Sequence, residues 1–117
     1  MNPEIKPVWL AALRGDDYKQ GDMFLHDQER DTHCCLGVLA AEVVKIPGAP
    51  FTFADGCLSD DDPEDPDRFC ATSTCELTRE FAEHVGISHH DESALIKMND
   101  DDGLTFSQIA DWIEANL

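Results

Sequence analysis

Cys35-Leu36-Gly37-Val38-Leu39-Ala40-Ala41-Glu42-Val43-Val44 is apolar on nearly every side of a helical wheel and contains good helix formers. A helix that is apolar all round belongs inside a fold, so this run predicts a central helix from Cys35 to Val44, buried on most sides. Gly37 within it predicts that another element approaches the helix backbone closely at that point.

Working outward toward the N-terminus, Lys19-Gln20-Gly21-Asp22-Met23-Phe24-Leu25, a polar turn from Asp27 to Asp31, and His33-Cys34-Cys35 read as a small hairpin. Before it, Pro7 with Val8, Trp9, Ala12 and Leu13, then Gly15, predicts a short helix with proline in its first turn and glycine just past its end. Trp9, Ala12 and Leu13 share its buried face. Beyond the central helix, Phe51-Thr52-Phe53 and Cys57-Leu58 flank Ala54-Asp55-Gly56, which predicts a second hairpin around the Asp-Gly pair. Ser59 to Asp67 has no apolar residue and holds two prolines, so it reads as a solvated acidic loop.

The second half reads as helical. Ser73 with Glu76 has the spacing of a capping box ahead of Leu77, Phe81 and Val85, and Gly86-Ile87 suits a helix end. Asp91 is expected to cap a helix carrying Leu95, Ile96 and Met98, with His89-His90 in the turn before it. Thr105 with Gln108 repeats the capping-box spacing, and Phe106, Ile109, Ala110 and Ile113 share one face of a last helix to Asn116. The expected fold is therefore α+β, one small domain over residues 1–117 with a central buried helix, short hairpins and a helical C-terminal half.

The 117 residues carry 8 Lys+Arg against 25 Asp+Glu, a formal net charge of −17. Folding at this length buries roughly two-thirds of the surface an unfolded chain exposes, and 42% hydrophobic residues supply one modest core. The charge repels phosphate backbones and anionic lipid, so direct nucleic-acid and membrane binding are not expected. The apolar patch from Val8 to Leu13 is bounded by Lys6, Pro7 and Arg14 and fits neither a signal peptide nor a membrane span, which places the chain in the cytoplasm. Cys34, Cys35, Cys57, Cys70 and Cys75 are an odd number with one adjacent pair, a pattern for free thiols.

Trp9 to Leu13 with Lys19-Gln20-Gly21, then Cys34-Cys35-Leu36-Gly37-Val38-Leu39, then Leu95 to Asn99 with Phe106-x-x-Ile109-Ala110-Asp111-x-Ile113-Glu114 carry a resemblance. Together they resemble an uncharacterised family of small proteins encoded by bacteriophages and by phage-derived regions of bacterial genomes. The resemblance leaves out Pro47 to Phe69. It implies a phage setting and a host-cell cytoplasm, and it brings no catalytic residue. Ala40 stands where a further cysteine is expected, and the acidic insertion is a second departure.

The most conspicuous candidate for function is the acidic loop, where Asp60, Asp61, Asp62, Glu64, Asp65 and Asp67 place six carboxylates in eight residues. Extended at roughly 3.3 Å per residue, such a run spaces charge much like the roughly 3.4 Å of phosphates along one nucleic-acid strand. Asp100, Asp101 and Asp102, with Asp111 and Glu114 on the last helix, extend the negative surface. Trp112, about 60° from the Ile109 direction on the wheel, sits at the border of the buried face and is the expected exposed aromatic anchor. The plain alternative is a charge run that only keeps a loop solvated.

Other chemistry fares worse. Asn99-Asp100-Asp101-Asp102-Gly103 resembles a calcium loop, but aligning Gly103 with the sixth position puts Met98 first and Ile109 twelfth, where oxygen ligands are required. His33, Cys34, Cys35, Cys57, Cys70, Cys75, His89 and His90 supply zinc-type donors, yet no C-x-x-C occurs and buried core thiols explain them more simply. Cys34 or Cys35 with His33 is the one local hint of a nucleophile, and a thiolate wants positive surroundings that this composition withholds. His84, near Glu80 and Glu83, reads as a surface residue. No cofactor motif is present. The expected function is thus non-catalytic: an anti-CRISPR-like or nucleic-acid-mimicking inhibitor of a basic host protein such as a nucleic-acid-binding defence complex. The rival is a small metal- or ligand-binding regulatory domain using the Cys and His residues. A third possibility is a self-assembling accessory protein whose helices pair through Trp112.

Overall fold

A computed structural model describes residues 1–54, 57–59 and 77–117. Helix α1 spans Lys6–Arg14, strands β1 and β2 span His26–Asp27 and Thr32–His33, and helix α2 spans Cys35–Val43. Strands β3 (Thr52–Ala54) and β4 (Cys57–Ser59) follow, then helices α3 (Arg79–Val85), α4 (His89–Asp100) and α5 (Phe106–Asn116). The architecture is α+β with a helical C-terminal half, as composition and periodicity predict.

Helix α2 is the centre. Cys35, Leu36, Gly37, Val38, Leu39, Ala40 and Val43 are all buried, and α2 packs against α1, α4 and β2. Gly37 is the point of closest approach: a Cβ there would collide with the carbonyl oxygen of Leu25, in the segment leading into β1. Trp9 and Leu13 of α1 are buried, Ala12 is half-buried, and the Trp9 indole N–H donates to the Cys35 carbonyl at 3.0 Å. That bond lets a large amphipathic side chain sit in the core without an orphan donor. Helix α5 also packs against α1, with Phe106, Ile109, Ala110 and Ile113 of its predicted face buried.

Several ends differ from the sequence-based expectation. The first hairpin pairs His26 with His33 and Asp27 with Thr32. Its first strand is therefore not Lys19 to Leu25, and Cys34 and Cys35 begin α2 instead of ending a strand. The second hairpin pairs Thr52 with Ser59, Phe53 with Leu58 and Ala54 with Cys57, so Ser59 closes β4 and is not the first residue of the loop. Asp55-Gly56 and the acidic run Asp60 to Asp67 lie outside the described residues, as do Ser73 and Glu76. Helix α3 begins after Thr78, whose hydroxyl accepts from the Phe81 N–H at 3.2 Å. The residue before it, Leu77, donates its N–H to the buried Glu92 carboxylate at 3.2 Å, and this tertiary bond holds the chain out of helix there. Ser88, not Asp91, caps α4: its hydroxyl accepts from the Asp91 N–H and donates to the Asp91 carboxylate. His89 and His90 are consequently the first residues of the helix. A serine hydroxyl at the cap satisfies an N–H that an aspartate inside the first turn has no geometry to reach.

Candidate functional site

Lys19-Gln20-Gly21 runs parallel to β2 and forms the seam between the two halves of the molecule. The His33 N–H donates to the Lys19 carbonyl at 2.9 Å, and the Gly21 N–H donates to the His33 carbonyl at 2.8 Å. Gly21 is required by contact, since a Cβ there would run into the Thr32 side chain. Between these backbone bonds the Gln20 amide turns to the other half of the chain. Its Nε2 donates to the Leu104 carbonyl at 2.7 Å and to Asn99 Oδ1 at 3.2 Å, and its Oε1 accepts from the Phe106 N–H at 3.1 Å.

Asn99, buried at the end of α4, is the hub. Its Oδ1 also accepts from the Cys35 N–H at 3.2 Å, and its Nδ2 donates to the Gly21 carbonyl at 2.9 Å and to Asp100 at 2.8 Å. Helix α2 has no side-chain cap of its own, so Asn99 supplies that cap from a distant part of the chain. The stretches that carry the family resemblance meet here, through Trp9 on Cys35, Gln20 on Phe106, and Asn99 on Cys35 and Gly21.

Across β2 lies an aromatic cluster. The His26 and His33 rings stack at 4.2 Å with an interplanar angle of 8°, and Tyr18 meets His33 edge-on at 5.0 Å. The Tyr18 hydroxyl donates to Glu42 at 2.6 Å and accepts from the Lys45 ammonium at 3.0 Å. Burial, then the bond to Glu42, pushes the Tyr18 phenol up, and the bond to Tyr18, with help from Glu42, raises Lys45. His26 Nε2 lies 3.0 Å from Asp31, whereas the buried His33 Nδ1 has no hydrogen-bond partner among the described residues.

Burial first, and the neighbouring His26 second, hold His33 down at about 4 against an ordinary 6.5. A histidine kept neutral in the folded state fixes the sign of its pH effect. Above 6.5 neither state carries the charge. Between 6.5 and about 4 the unfolded chain binds a proton that folded His33 refuses, so stability falls as pH drops through that window. His33→Phe is expected to flatten this part of the stability curve, as read by urea denaturation across the same range.

The residues expected to form a negative docking surface are placed unevenly. Asp111 and Glu114 both grip Arg14 of α1, at 2.9 and 2.8 Å, and these bonds raise the Arg14 pKa, Glu114 contributing most. Asp102 pairs with Lys97 at 3.1 Å. Asp100 accepts from the Met23 N–H at 3.3 Å and from Asn99, whereas Asp101, at the end of α4, is exposed. Trp112 is half-buried and packs against the core, at the border where the wheel puts it. Among the described residues the exposed aromatic is instead Phe24, 40% accessible, beside Met23 at 64%. Asp60, Asp61, Asp62, Glu64, Asp65 and Asp67 lie outside the described residues.

Cys34 and Cys35 are free and buried. The Cys35 thiol donates to the Leu95 carbonyl at 3.7 Å, and burial, with Cys34 beside it, pushes its pKa well up. A protonated core thiol is a poor nucleophile and a poor metal ligand. Among the described residues no three His, Cys, Asp or Glu side chains gather as a metal site, and no helix is long and apolar enough to cross a membrane. No role is expected for Gln20, Asn99 or Met23 from sequence, although Gln20 stands in the Lys-Gln-Gly motif and Asn99 ends the Leu95 to Asn99 stretch. The parts that Asn99 and Met23 play depend on contacts more than seventy residues away in the chain.

Neither a curated protein nor a solved structure matches the chain. Residues 1–55 are similar to a family described as a domain of unknown function, DUF8296, a span holding α1, the Lys19-Gln20-Gly21 seam, the first hairpin and α2.

Proposed function

We propose that this protein is a non-catalytic, phage-type binding protein whose acidic surface occupies the basic cleft of a nucleic-acid-handling host protein. The observation that carries the reading is the turn Asp22-Met23-Phe24. The Phe24 N–H donates to the Asp22 carbonyl at 2.8 Å, and Met23 is held at a φ of 69° with its N–H on Asp100. A left-handed conformation costs a side-chain-bearing residue roughly 1–2 kcal/mol. It is retained here in a turn that presents two large apolar side chains to solvent between carboxylates. Apolar anchors within a charged rim are the anatomy of a protein interface. Arg14, Lys45, Arg79 and Lys97 are paired with other carboxylates, so these cations do little to neutralise this corner.

The test is capture of host proteins on the immobilised chain at low and high salt, with duplex DNA as competitor. Nucleic-acid-binding proteins are expected to be retained at low salt and released by either treatment, because a cationic groove gives up the mimic as it gives up a polyanion. Retention indifferent to salt, to DNA and to neutralisation of Asp60 to Asp67 together with Asp22 and Asp101 defeats the reading. Met23→Gly is expected to weaken capture while raising stability by about 1 kcal/mol, or roughly 4 °C in Tm, because the strain leaves with the anchor.

A further inference from the structure

Beside the Lys19-Gln20-Gly21 seam opens a cleft of about 670 Å³, within the size range of small-molecule sites. Gln20 and Asn99 are among its lining residues, and their acceptor oxygens are already used. Gln20 Oε1 takes the Phe106 N–H, Asn99 Oδ1 takes Gln20 and Cys35, and the Leu104 and Gly21 carbonyls take Gln20 and Asn99. Donors remain. Lys19 pairs with no carboxylate among the described residues. Arg30 reaches Asp27 only at 4.0 Å, with its side chain 77% exposed. The Thr32 hydroxyl and the Gly103 N–H, the latter in a turn at φ 67°, make no hydrogen bond among the described residues. The carboxylate in the lining is Asp22.

A cleft whose amide and carbonyl acceptors at Gln20, Asn99, Leu104 and Gly21 are spent, and whose remaining groups besides the Asp22 carboxylate are an ammonium, a weakly paired guanidinium, a hydroxyl and an amide N–H, is chemically matched to an oxyanion. This pair of cations stands out against a chain of net charge −17. We propose that the cleft binds a small molecule through a compact anionic group, phosphate or carboxylate, held between Lys19 and Arg30. The proposal does not rest on the protein-docking reading.

The experiment is an amide-resolved NMR titration of the whole chain with inorganic phosphate and, separately, with acetate. It is run at about 0.15 M salt, so that the long-range repulsion from the rest of the molecule is screened. At least one of the two anions is expected to give saturable shifts at Lys19, Gly21, Gly103 and Leu104, and the arm that saturates tells phosphate from carboxylate. Lys19→Met with Arg30→Met is expected to weaken binding at least tenfold with the rest of the spectrum unchanged. Asp22→Asn is expected to tighten it severalfold while weakening protein capture, so the two readings fail separately. Shifts that mirror added sodium chloride, map elsewhere, or survive the double substitution overturn the assignment, as does silence in both arms.

Discussion

Asn99→Leu is expected to destabilise the protein by about 3 kcal/mol or more, because leucine shares the branched shape of asparagine, at a larger volume, but answers none of its hydrogen bonds. The Cys35 N–H is left at the start of a buried helix without an acceptor, and the Gly21 carbonyl loses its donor. Each orphaned group costs about 1–3 kcal/mol, against a total stability of order 5–15 kcal/mol for a domain. Gln20 Nε2 keeps the Leu104 carbonyl, so its loss is partial. Urea denaturation gives the number, and a change under about 1 kcal/mol would show that the hub does not hold the halves together. Asn99→Asp separates the roles. The acceptor survives, but a carboxylate is placed in a buried position beside Asp100. Desolvation and like charge raise the pKa of the introduced carboxyl. The variant's deficit relative to the parent is therefore largest near neutral pH and shrinks as pH falls and protonation restores a donor for Gly21.

Gly37→Ala is expected to cost about 3 kcal/mol, reversing the gain of roughly 1 kcal/mol that alanine normally brings to a helix interior. The added Cβ would meet not only the Leu25 carbonyl oxygen but its carbon at 2.6 Å and its Cα at 3.0 Å. Backbone cannot rotate away as a side-chain tip does. Relief requires the segment before β1 to lift from α2, and Leu25, fully buried, would be drawn out of the core with it. The expected measurement is a lower urea midpoint at an unchanged slope. Gly48→Ala is the control, since Gly48 sits at φ 83° with nothing within 4 Å of the added carbon. Its cost is conformational alone, about 1 kcal/mol. Equal effects at both positions would contradict the close approach at Gly37.

Legibility followed the range of the deciding interactions. Helix α5 ends where the pattern puts it, and its capping box forms between Thr105 and Gln108 as the spacing predicts. Those bonds join residues three apart and need nothing else. Helix α2 was legible for a different reason, since an all-round apolar run has no alternative to burial. The caps of α3 and α4 were misassigned because several Ser, Thr and Asp residues lie near each start. Glu92, reaching back to Leu77, helps to decide where α3 begins. The negative surface was legible as composition but not as layout. Arg14, on the first helix, takes up Asp111 and Glu114 on the last, and no local pattern announces that pairing.

From its amino-acid order alone, this protein determines a central buried helix, an amphipathic last helix with its cap and an overwhelming negative charge. All of these follow from side-chain chemistry summed over neighbours within about one helical turn. The tertiary structure alone decided that Asn99 and Gln20 would join the halves, that Met23 and Phe24 would face solvent, and that Lys19 and Arg30 would line one cleft. Each of these depends on groups brought together from distant parts of the chain, where hydrogen-bond satisfaction and close packing choose among pairings that local preference leaves equal.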